Sequence, residues 1–361
     1  MVIIMKISEK HKTYHDEVAI KNTQKLRVLL EELPPFCKTF FRGIETATSS
    51  RTRIAYAYDL RVFFEFIHDC YNPYKGKEIR EYTLSLLDVL TRQDLEEYLE
   101  YLSYYTNSQG KEFTNNERGK MRKLASLRSF YKYFFTSELI GKNTAALIPM
   151  PKTHEKEIIR LDYNEVAILL DEVEMGSKLT KQQLAYHEKT KVRDLALLTL
   201  LLGTGIRVSE CVGLDLEDLD FQNNGIKIKR KGGYESVVYF GEEVQEALSD
   251  YLEKRTKVIP TTGHEHALFL SMQNRRLTVR SVENLVKKYA GLVTSLKKIT
   301  PHKLRSTYGT NLYRETGDIY LVADVLGHKD VNTTKKHYAA IEDDRRRTAA
   351  NMVTLREKKK N

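Results

Sequence analysis

The sequence predicts a mainly α-helical protein that has two domains and one small antiparallel β-sheet. Apolar residues recur at helical spacing through most of the chain, whereas residues 226–240 alternate apolar and polar side chains around Gly232-Gly233. Such alternation around a glycine turn is typical of a β-hairpin. Pro149 and Pro151 lie in a polar stretch between the two helical halves, where proline favours an extended linker. A chain of 361 residues also fits two domains better than one.

Residues 1–45 are expected to form an N-terminal helical extension. Leucines at helical spacing predict a helix over residues 23–32, which ends before Pro34-Pro35, and a second short helix is predicted over residues 37–44. We expect this extension to be a packing or oligomer-contact arm in preference to a DNA-contact element.

Residues 46–142 are predicted to form a helical domain. Apolar residues at helical spacing predict helices over residues 49–70, 87–105 and 115–136. The first of these begins at a Ser/Thr cap, and the second is capped at Thr91, because a hydroxyl there can accept from the free N–H groups of the first turn.

Two of these helices carry basic residues on exposed faces. Arg51 and Arg53 lie in the first turn of their helix, where a phosphate could bind. Lys120 and Lys123 belong to a basic face opposite an apolar one. A solvated charged face is the ordinary explanation of such a helix, and contact with nucleic acid is the alternative.

A linker is predicted over residues 143–159, and residues 160–361 are predicted to form the second domain. Asp162 is a plausible helix cap, and the strongly apolar stretch 191–203 predicts a buried helix. Beyond the hairpin, further helices are predicted up to an apolar tail at the C-terminus. The tail either packs on its own domain or docks on a second copy of the chain.

The composition favours a polyanionic partner and excludes a membrane-spanning protein. Lys and Arg number 59 against 49 Asp and Glu, which gives a formal net charge of +10. No apolar run reaches the roughly 18 residues that a membrane span requires, and the first ten residues are too short and too charged for a secretory signal. Cys37, Cys70 and Cys211 fit no metal or redox spacing, which is typical of free thiols in the cytoplasm.

Three boxes in the second domain carry side chains that suit attack on a phosphodiester. They are TGIRVSECVGL from residue 204, PHKLRSTYGTNL from residue 301 and LGHKDVNTTKKHY from residue 326. Their polar residues, in chain order, are Arg207, Glu210, His302, Arg305, His328 and Tyr338. A guanidinium fork matches two phosphate oxygens, an imidazole exchanges protons near neutral pH, and a deprotonated phenol is a nucleophile.

Each of these residues also has a purely structural interpretation. Arg207 and Glu210 could form an ordinary ion pair, and a histidine after a helix-ending glycine usually caps or packs. Lys231, in the predicted hairpin turn, could be an exposed lysine, with Lys227, Lys229 and Arg230 as rivals. The chain has 22 tyrosines, so a single one is ordinarily part of a core. The nearest rivals of Tyr338 lie in helices expected to pack internally, and they are Tyr308, Tyr313 and Tyr320.

The three boxes, in this order and with a tyrosine at this offset, resemble those of the tyrosine recombinase family (phage integrase, Xer-like). The resemblance runs from about residue 160 to the C-terminus and extends more weakly back to about residue 48. It implies a helical SAM-like core-binding domain and a mixed, α-rich catalytic domain with a small antiparallel sheet, which together form a C-shaped DNA clamp.

The resemblance also implies a role for each site residue. Arg207 and Arg305 would bind the phosphate, and Glu210 would orient Arg207. His302 would be the general acid/base, His328 would donate to a phosphate oxygen, and Tyr338 would be the nucleophile. Lys231 would protonate the leaving 5′ oxygen, although the family's usual G-K-G is R-K-G here, because Arg230 replaces the first glycine.

The implied activity is site-specific recombination of double-stranded DNA. Cleavage would proceed through a 3′-phosphotyrosyl intermediate, and strands would be exchanged through a Holliday junction in a synaptic tetramer whose protomers are monomers when free. No metal, cofactor or membrane partner is implied. Candidate DNA contacts are Arg51, Arg53, Lys120, Lys123, Arg275, Arg276 and Arg280.

Two other functions remain open at this point. A type IB topoisomerase-like nicking-closing enzyme would use the same nucleophile and arginines. A DNA-binding protein with degenerate chemistry would lack some of the site residues, all of which are present here. The sequence does not decide between an integrase of a mobile element and a chromosome-dimer resolvase.

Overall fold

A computed structural model describes residues 13–107, 109–152, 159–230, 233–328 and 330–331. The chain divides into two compact units, Met1–Lys156 and Glu157–Asn361. Both units are mainly helical, and each carries a small antiparallel sheet, as the sequence predicts for the second half only. In the described part of the chain, no helix combines the length and apolar character that crossing a bilayer requires.

The first unit is built from helices around an aromatic core. Phe40, Phe64 and Phe130 are fully buried and meet edge to face, an arrangement that aromatic rings prefer to face-to-face stacking. Its elements are α1 (Tyr14–Leu30), α2 (Cys37–Gly43), α3 (Ser50–Cys70), α4 (Leu86–Val89), α5 (Arg92–Tyr101), β1 (Tyr104–Thr106), β2 (Glu112–Thr114) and α6 (Glu117–Thr136).

Side-chain caps set where several of these helices begin. The hydroxyl of Ser49 accepts from the N–H of Thr52 at 3.1 Å, and the amide oxygen of Asn116 accepts from Gly119 at 3.1 Å. These caps confirm the predicted starts of α3 and α6 to within two residues. Helix α1 begins nine residues earlier than the prediction, because Thr13 and Asp16 form a reciprocal capping box there.

The single helix predicted over residues 87–105 is wrong at both ends. A separate turn, α4, precedes Thr91, whose capping box with Asp94 starts α5 as a new helix. After α5, the segment Tyr104–Thr106 is strand β1 and pairs with β2. Aromatic and β-branched residues favour a strand there, and Gly110 at φ +74° supplies the intervening turn.

The second unit combines helices with a three-stranded sheet. The sheet has the order β3-β4-β5, and Ile226 pairs with Val238 in its antiparallel hairpin. The hairpin that the alternating residues predict is confirmed, whereas the two-residue strand β3 was not predicted. The elements are α7 (Tyr163–Met175), α8 (Lys181–Thr204), α9 (Val208–Gly213), β3 (Leu219–Asp220), β4 (Gly225–Lys229), β5 (Glu235–Tyr239), α10 (Glu242–Arg255), α11 (Val279–Val293), α12 (Pro301–Thr316) and α13 (Ile319–Leu326).

Helix α8 is the central element of this unit. Leu197, Leu198 and Leu200 are fully buried on it, and α7, α10 and α12 all pack against it. The apolar stretch that predicted this helix covers only its second half, because the first half is amphipathic and begins at a capping box of Thr180 and Gln183. Helix α13 packs beside α12 through Tyr313, Val322 and Leu326.

Candidate active site

Arginine side chains from different elements converge on the C-terminal end of α13. Nη2 of Arg207 donates to the carbonyl of Gly327 at 3.4 Å, and Nη2 of Arg305 donates to the carbonyl of Leu326. The last carbonyls of a helix have no partner within the helix and carry partial negative charge, which suits guanidinium donors. Boxes that are far apart in sequence therefore meet at one place.

Arg207 caps the start of α9 and is held by a buried carboxylate. Glu210 lies one turn into α9, is 4% exposed, and accepts from the backbone N–H of Arg207 at 2.7 Å and from its Nη1 at 2.8 Å. The side chain of Arg207 stays about one-third exposed, so one edge of its fork faces outward. This arrangement fixes the direction of the guanidinium before any ligand binds.

Arg305 is buried on α12 and links the ends of two other helices. Its Nη1 donates to the carbonyl of Gly205 at 2.5 Å, at the end of α8, while its Nη2 reaches the end of α13. The exposed fraction of Arg305 is 4%. Because both bonds end on backbone carbonyls, the position of this guanidinium depends on how α8 and α13 terminate.

Gly205 is what allows α8 to end beside Arg305. Its φ is +62°, a left-handed conformation that side chains other than glycine adopt only with strain. A Cβ at this position would also overlap the ring of Tyr308 and lie 3.0 Å from Leu326 Cδ2. The glycine between Thr204 and Ile206 is therefore needed for both backbone conformation and space.

The two histidines flank this group of arginines. His302 is an exposed residue in the first turn of α12, one turn before Arg305. His328 is half-buried, directly follows the helix-ending Gly327, and donates its backbone N–H to Ala323 at 2.9 Å. His302 and Arg305 thus lie one turn apart on the same helix.

Lys231 and Tyr338 lie outside the described residues, so their predicted roles stay predictions. Among the rival tyrosines, Tyr313 is buried, and burial raises the pKa of Tyr308 and disfavours its phenolate. The expectation that Tyr320 packs internally is wrong, because its side chain is 71% exposed on α13.

Arg230, which the sequence analysis named only as a rival of Lys231, is a member of this group. Arg230 is 5% exposed, and its Nη2 donates to the carbonyl of Val325 at 3.0 Å. Consecutive carbonyls of Val325, Leu326 and Gly327 therefore each accept from an arginine. The replacement of the family's usual glycine by Arg230 was the available signal, but a contact across 95 residues could not be read from it.

Three of the candidate DNA contacts are engaged inside their own units. Arg53 donates to the carbonyl of Glu45 at 2.6 Å, Lys123 to Asn115 Oδ1 at 3.0 Å, and Arg276 to the carbonyl of Leu214 at 2.8 Å while it also pairs with Asp215. Each of these side chains therefore has an internal partner. Their contact with DNA stays a prediction.

The other candidates remain accessible. Arg51, Arg275 and Arg280 are exposed, and Arg280 makes only a loose pair with Glu283 at 3.3 Å. Lys120 is half-buried and donates to the hydroxyl of Ser103 at 2.6 Å. The DNA contacts of these four residues likewise stay predictions.

A comparison with protein families decides the identity. The phage integrase family model matches residues 160–345, which is more than half of the chain. The chain belongs to this family. It is a site-specific tyrosine recombinase, an enzyme that breaks and rejoins DNA.

Curated relatives cover nearly the whole recombinase. The tyrosine recombinase XerC of Caldanaerobacter subterraneus is 33% identical over 89% of this chain and 87% of its own length. The tyrosine recombinase XerS of Lactococcus lactis is 29% identical over 91% of this chain and 98% of its own length. These matches therefore also cover the first half of the chain, where the resemblance seen in the sequence alone is weaker.

Solved structures share the fold of the recombinase. XerH bound to palindromic difH substrate, in a post-cleavage complex, superposes with a TM-score of 0.62 at 19% identity and covers 95% of this chain and 97% of its own. The Tn1549 transposon integrase in complex with circular intermediate DNA gives 0.59 at 20% identity, covering 84% and 94%. The predicted mainly α fold with small antiparallel sheets is confirmed.

Proposed function

We propose that this recombinase cleaves a strand of duplex DNA with the phenol oxygen of Tyr338. Oη attacks one phosphorus, so a 3′-phosphotyrosyl ester forms while the bond from phosphorus to the 5′ oxygen breaks. His302 is the candidate base for the phenol proton, and Lys231 supplies a proton to the leaving 5′ oxygen. Attack by a 5′-hydroxyl reverses the step, and since one phosphate ester replaces another, no ATP, metal or other cofactor is needed.

The observation that carries this proposal is the convergence of Arg207 and Arg305 at the end of α13. Their Nη2 atoms donate to adjacent carbonyls, at Gly327 and Leu326, so the two forks already point toward one small region. A phosphodiester offers two non-bridging oxygens that accept more strongly than carbonyls, because they are charged. The extra negative charge of the pentacoordinate transition state then strengthens both contacts.

The remaining residues have supporting roles in this scheme. Glu210 keeps the fork of Arg207 in place, and His328 donates to a non-bridging oxygen from its position directly after Gly327. Preorganised donors favour the transition state because they need no reorientation during the reaction.

Double-stranded DNA is the partner, in keeping with the DNA complexes of XerH and the Tn1549 integrase. We assign residues 46–142 to DNA binding, 143–159 to a linker and 160–361 to catalysis, with Arg51, Lys120, Arg275 and Arg280 as phosphate contacts. Exchange between two duplexes proceeds through a Holliday junction in a tetramer, to which the C-terminal tail contributes. The enzyme works in the cytoplasm, where its DNA is accessible.

Covalent trapping tests the proposal and supplies the unknown target site. A pool of randomised duplexes, nicked so that cleavage releases a short fragment, is incubated with the full chain, and DNA that survives denaturing wash is sequenced. We expect Tyr338→Phe to trap no DNA, whereas Tyr320→Phe, at the exposed tyrosine of α13, traps as the native chain does. Adduct formation by the Tyr338→Phe variant would contradict the proposal.

A further inference from the structure

The side chain of Arg230 occupies an unusual place for a charged group. It follows strand β4, and its backbone N–H donates to Tyr234 at 2.9 Å across the hairpin. Its guanidinium leaves the hairpin and packs under the last turn of α13, where Nη2 reaches the carbonyl of Val325. One residue therefore ties the hairpin to the helix end on which Arg207 and Arg305 converge.

This placement carries an energetic penalty. Arg230 is 95% buried, and its Nη1 is a fully buried donor without an acceptor. Among the described residues, no carboxylate lies within ion-pair distance of it. Burying a charge without a counter-charge is unfavourable in general, and an apolar side chain would fill the same space without that cost. A charged residue in this position calls for a role beyond filling space.

Arg230 and Gly327 fit one another closely. Gly327 ends α13 at φ +61°, and a Cβ there would overlap Nη1 of Arg230 and lie 2.6 Å from its Cζ. The guanidinium thus uses the space that only glycine leaves open. Because Nη1 is covered by this turn, Arg230 does not reach a phosphate itself, and any effect on the reaction passes through the turn.

We propose that Arg230 is a positioning residue of the active site. It holds the Val325–Gly327 turn against the hairpin. The carbonyls of this turn accept from Arg207 and Arg305, and His328 follows it directly. The proposal rests on the proposed function, since it assumes that these three side chains act on one phosphate. Its consequence is that loss of the clamp slows cleavage without weakening the capture of DNA.

The test compares Arg230→Ala with Lys227→Ala, its matched control. Lys227 is on the same hairpin and carries the same charge, but its ion pair is local, with Glu235 at 2.7 Å. The probe is a nicked duplex recovered by covalent trapping. Dissociation constants come from fluorescence anisotropy, and first-order rate constants for adduct formation are measured at saturating DNA.

We expect Arg230→Ala to lower the rate constant at saturation by at least about tenfold, because a displacement of about 1 Å in a reacting group can cost a hundredfold. Its dissociation constant should stay within about threefold of the native value, since only the transition-state interactions are impaired. Lys227→Ala should match the native chain in both. Arg230→Lys, which keeps the charge but not the fork, should recover part of the rate.

A double-mutant cycle with Gly327→Ala separates clamping from general damage. The added methyl group meets the guanidinium, so we expect Gly327→Ala to slow cleavage less in the Arg230→Ala background than in the native one. Additive effects, a native rate in Arg230→Ala, or a loss confined to DNA affinity would overturn the proposal.

If Arg230→Ala melts below the assay temperature, Arg230→Lys is used in its place. A native rate constant in Arg230→Lys would show that the guanidinium fork of Arg230 is not required. Absence of adduct in the native chain would mean that the proposed function itself has failed. An adduct formed equally by native and Arg230 variants would refute only the clamp.

Discussion

At the scale of single residues, the site depends on groups that hold the reactive side chains. Arg207 keeps its direction through Glu210, a carboxylate that is 4% exposed and contacts both its backbone and its side chain. Arg305 keeps its direction through the carbonyls of Gly205 and Leu326. The two guanidiniums are therefore positioned by a buried acid in one case and by two helix ends in the other.

Gly205 offers a test of this dependence. Gly205→Ala should destabilise the protein and slow adduct formation, because the methyl group meets Tyr308 and moves the carbonyl that holds Arg305. We expect about 1–2 kcal/mol from the left-handed backbone and about 1–3 kcal/mol more from the overlap. Thermal unfolding and the rate of covalent trapping measure the two effects.

Gly263→Ala is the matched control for this substitution. Gly263 has φ +86° but no heavy atom within 4 Å of a Cβ, so the variant carries the backbone strain without the overlap. We expect Gly263→Ala to lose only the about 1–2 kcal/mol that the left-handed backbone costs. It should trap DNA at the native rate. Equal behaviour of the two alanine variants would show that the space beside Gly205 is irrelevant to the site.

At the scale of elements, the sequence predicted what local signals determine. Caps at Ser49, Thr91 and Asp162 gave helix starts, since a cap and the N–H groups it satisfies lie within three residues. The alternation over residues 226–240 gave the hairpin for the same reason. The strand Tyr104–Thr106 was missed because its pairing with β2, not its short sequence, makes it a strand.

The candidate site was predictable only in part, for a related reason. Arg207, His302, Arg305 and His328 were found through boxes of neighbouring residues. The bond from Arg305 to Gly205 spans 100 residues, and it depends on how α8 and α12 pack. Periodicity and spacing carry no information about such long-range contacts. The internal hydrogen bonds of Arg53, Lys123 and Arg276 could not be predicted for the same reason.

Asp59 is a buried acid on α3 that contacts α6. Its titration makes the stability of these two helices depend on pH. Asp59 is 2% exposed, pairs with Arg122, and accepts from the hydroxyl of Ser126 at 3.1 Å. Burial raises the pKa of Asp59 above its ordinary value, although Arg122 and Lys123 oppose the shift. The folded state therefore holds this proton more tightly than the unfolded chain does.

Asp59→Asn should reveal this linkage. Because the folded pKa is raised, the contribution of Asp59 to stability is fully present below its unfolded pKa, near 3.8, and declines as pH rises through the folded pKa. The amide cannot titrate, so protection of α3 and α6 in the native chain, relative to Asp59→Asn, should fall as pH increases from about 4 to 7.

Hydrogen exchange read by mass spectrometry, with both proteins compared at each pH, measures this difference because the intrinsic exchange rate cancels. A difference that is constant or rises with pH would mean that burial does not raise the pKa of Asp59. Glu112→Gln, on the exposed strand β2, should leave the profile of α3 and α6 unchanged.

At the scale of the whole molecule, the division of labour between the two units bears on the mechanism. The convergent arginines, both histidine positions and Arg230 all belong to Glu157–Asn361, whereas Arg51 and Lys120 belong to Met1–Lys156. The described side chains that we propose for cleavage thus belong to one unit, and two of the proposed phosphate contacts belong to the other. A net charge of +10 supports association with DNA by either unit.

The need for a second duplex separates strand exchange from simple nicking and closing. A nicking-closing enzyme completes its cycle on one DNA molecule, whereas a recombinase must pass the cleaved strand to another. We expect the native chain to form the adduct on a single trapped-site duplex, but to yield strand-exchange product only when two site-bearing duplexes and four protomers assemble. Mass photometry of the assembly and gel analysis of two differently labelled duplexes measure this. Strand-exchange product from a single site-bearing duplex, or from assemblies of fewer than four protomers, would contradict the proposed tetramer.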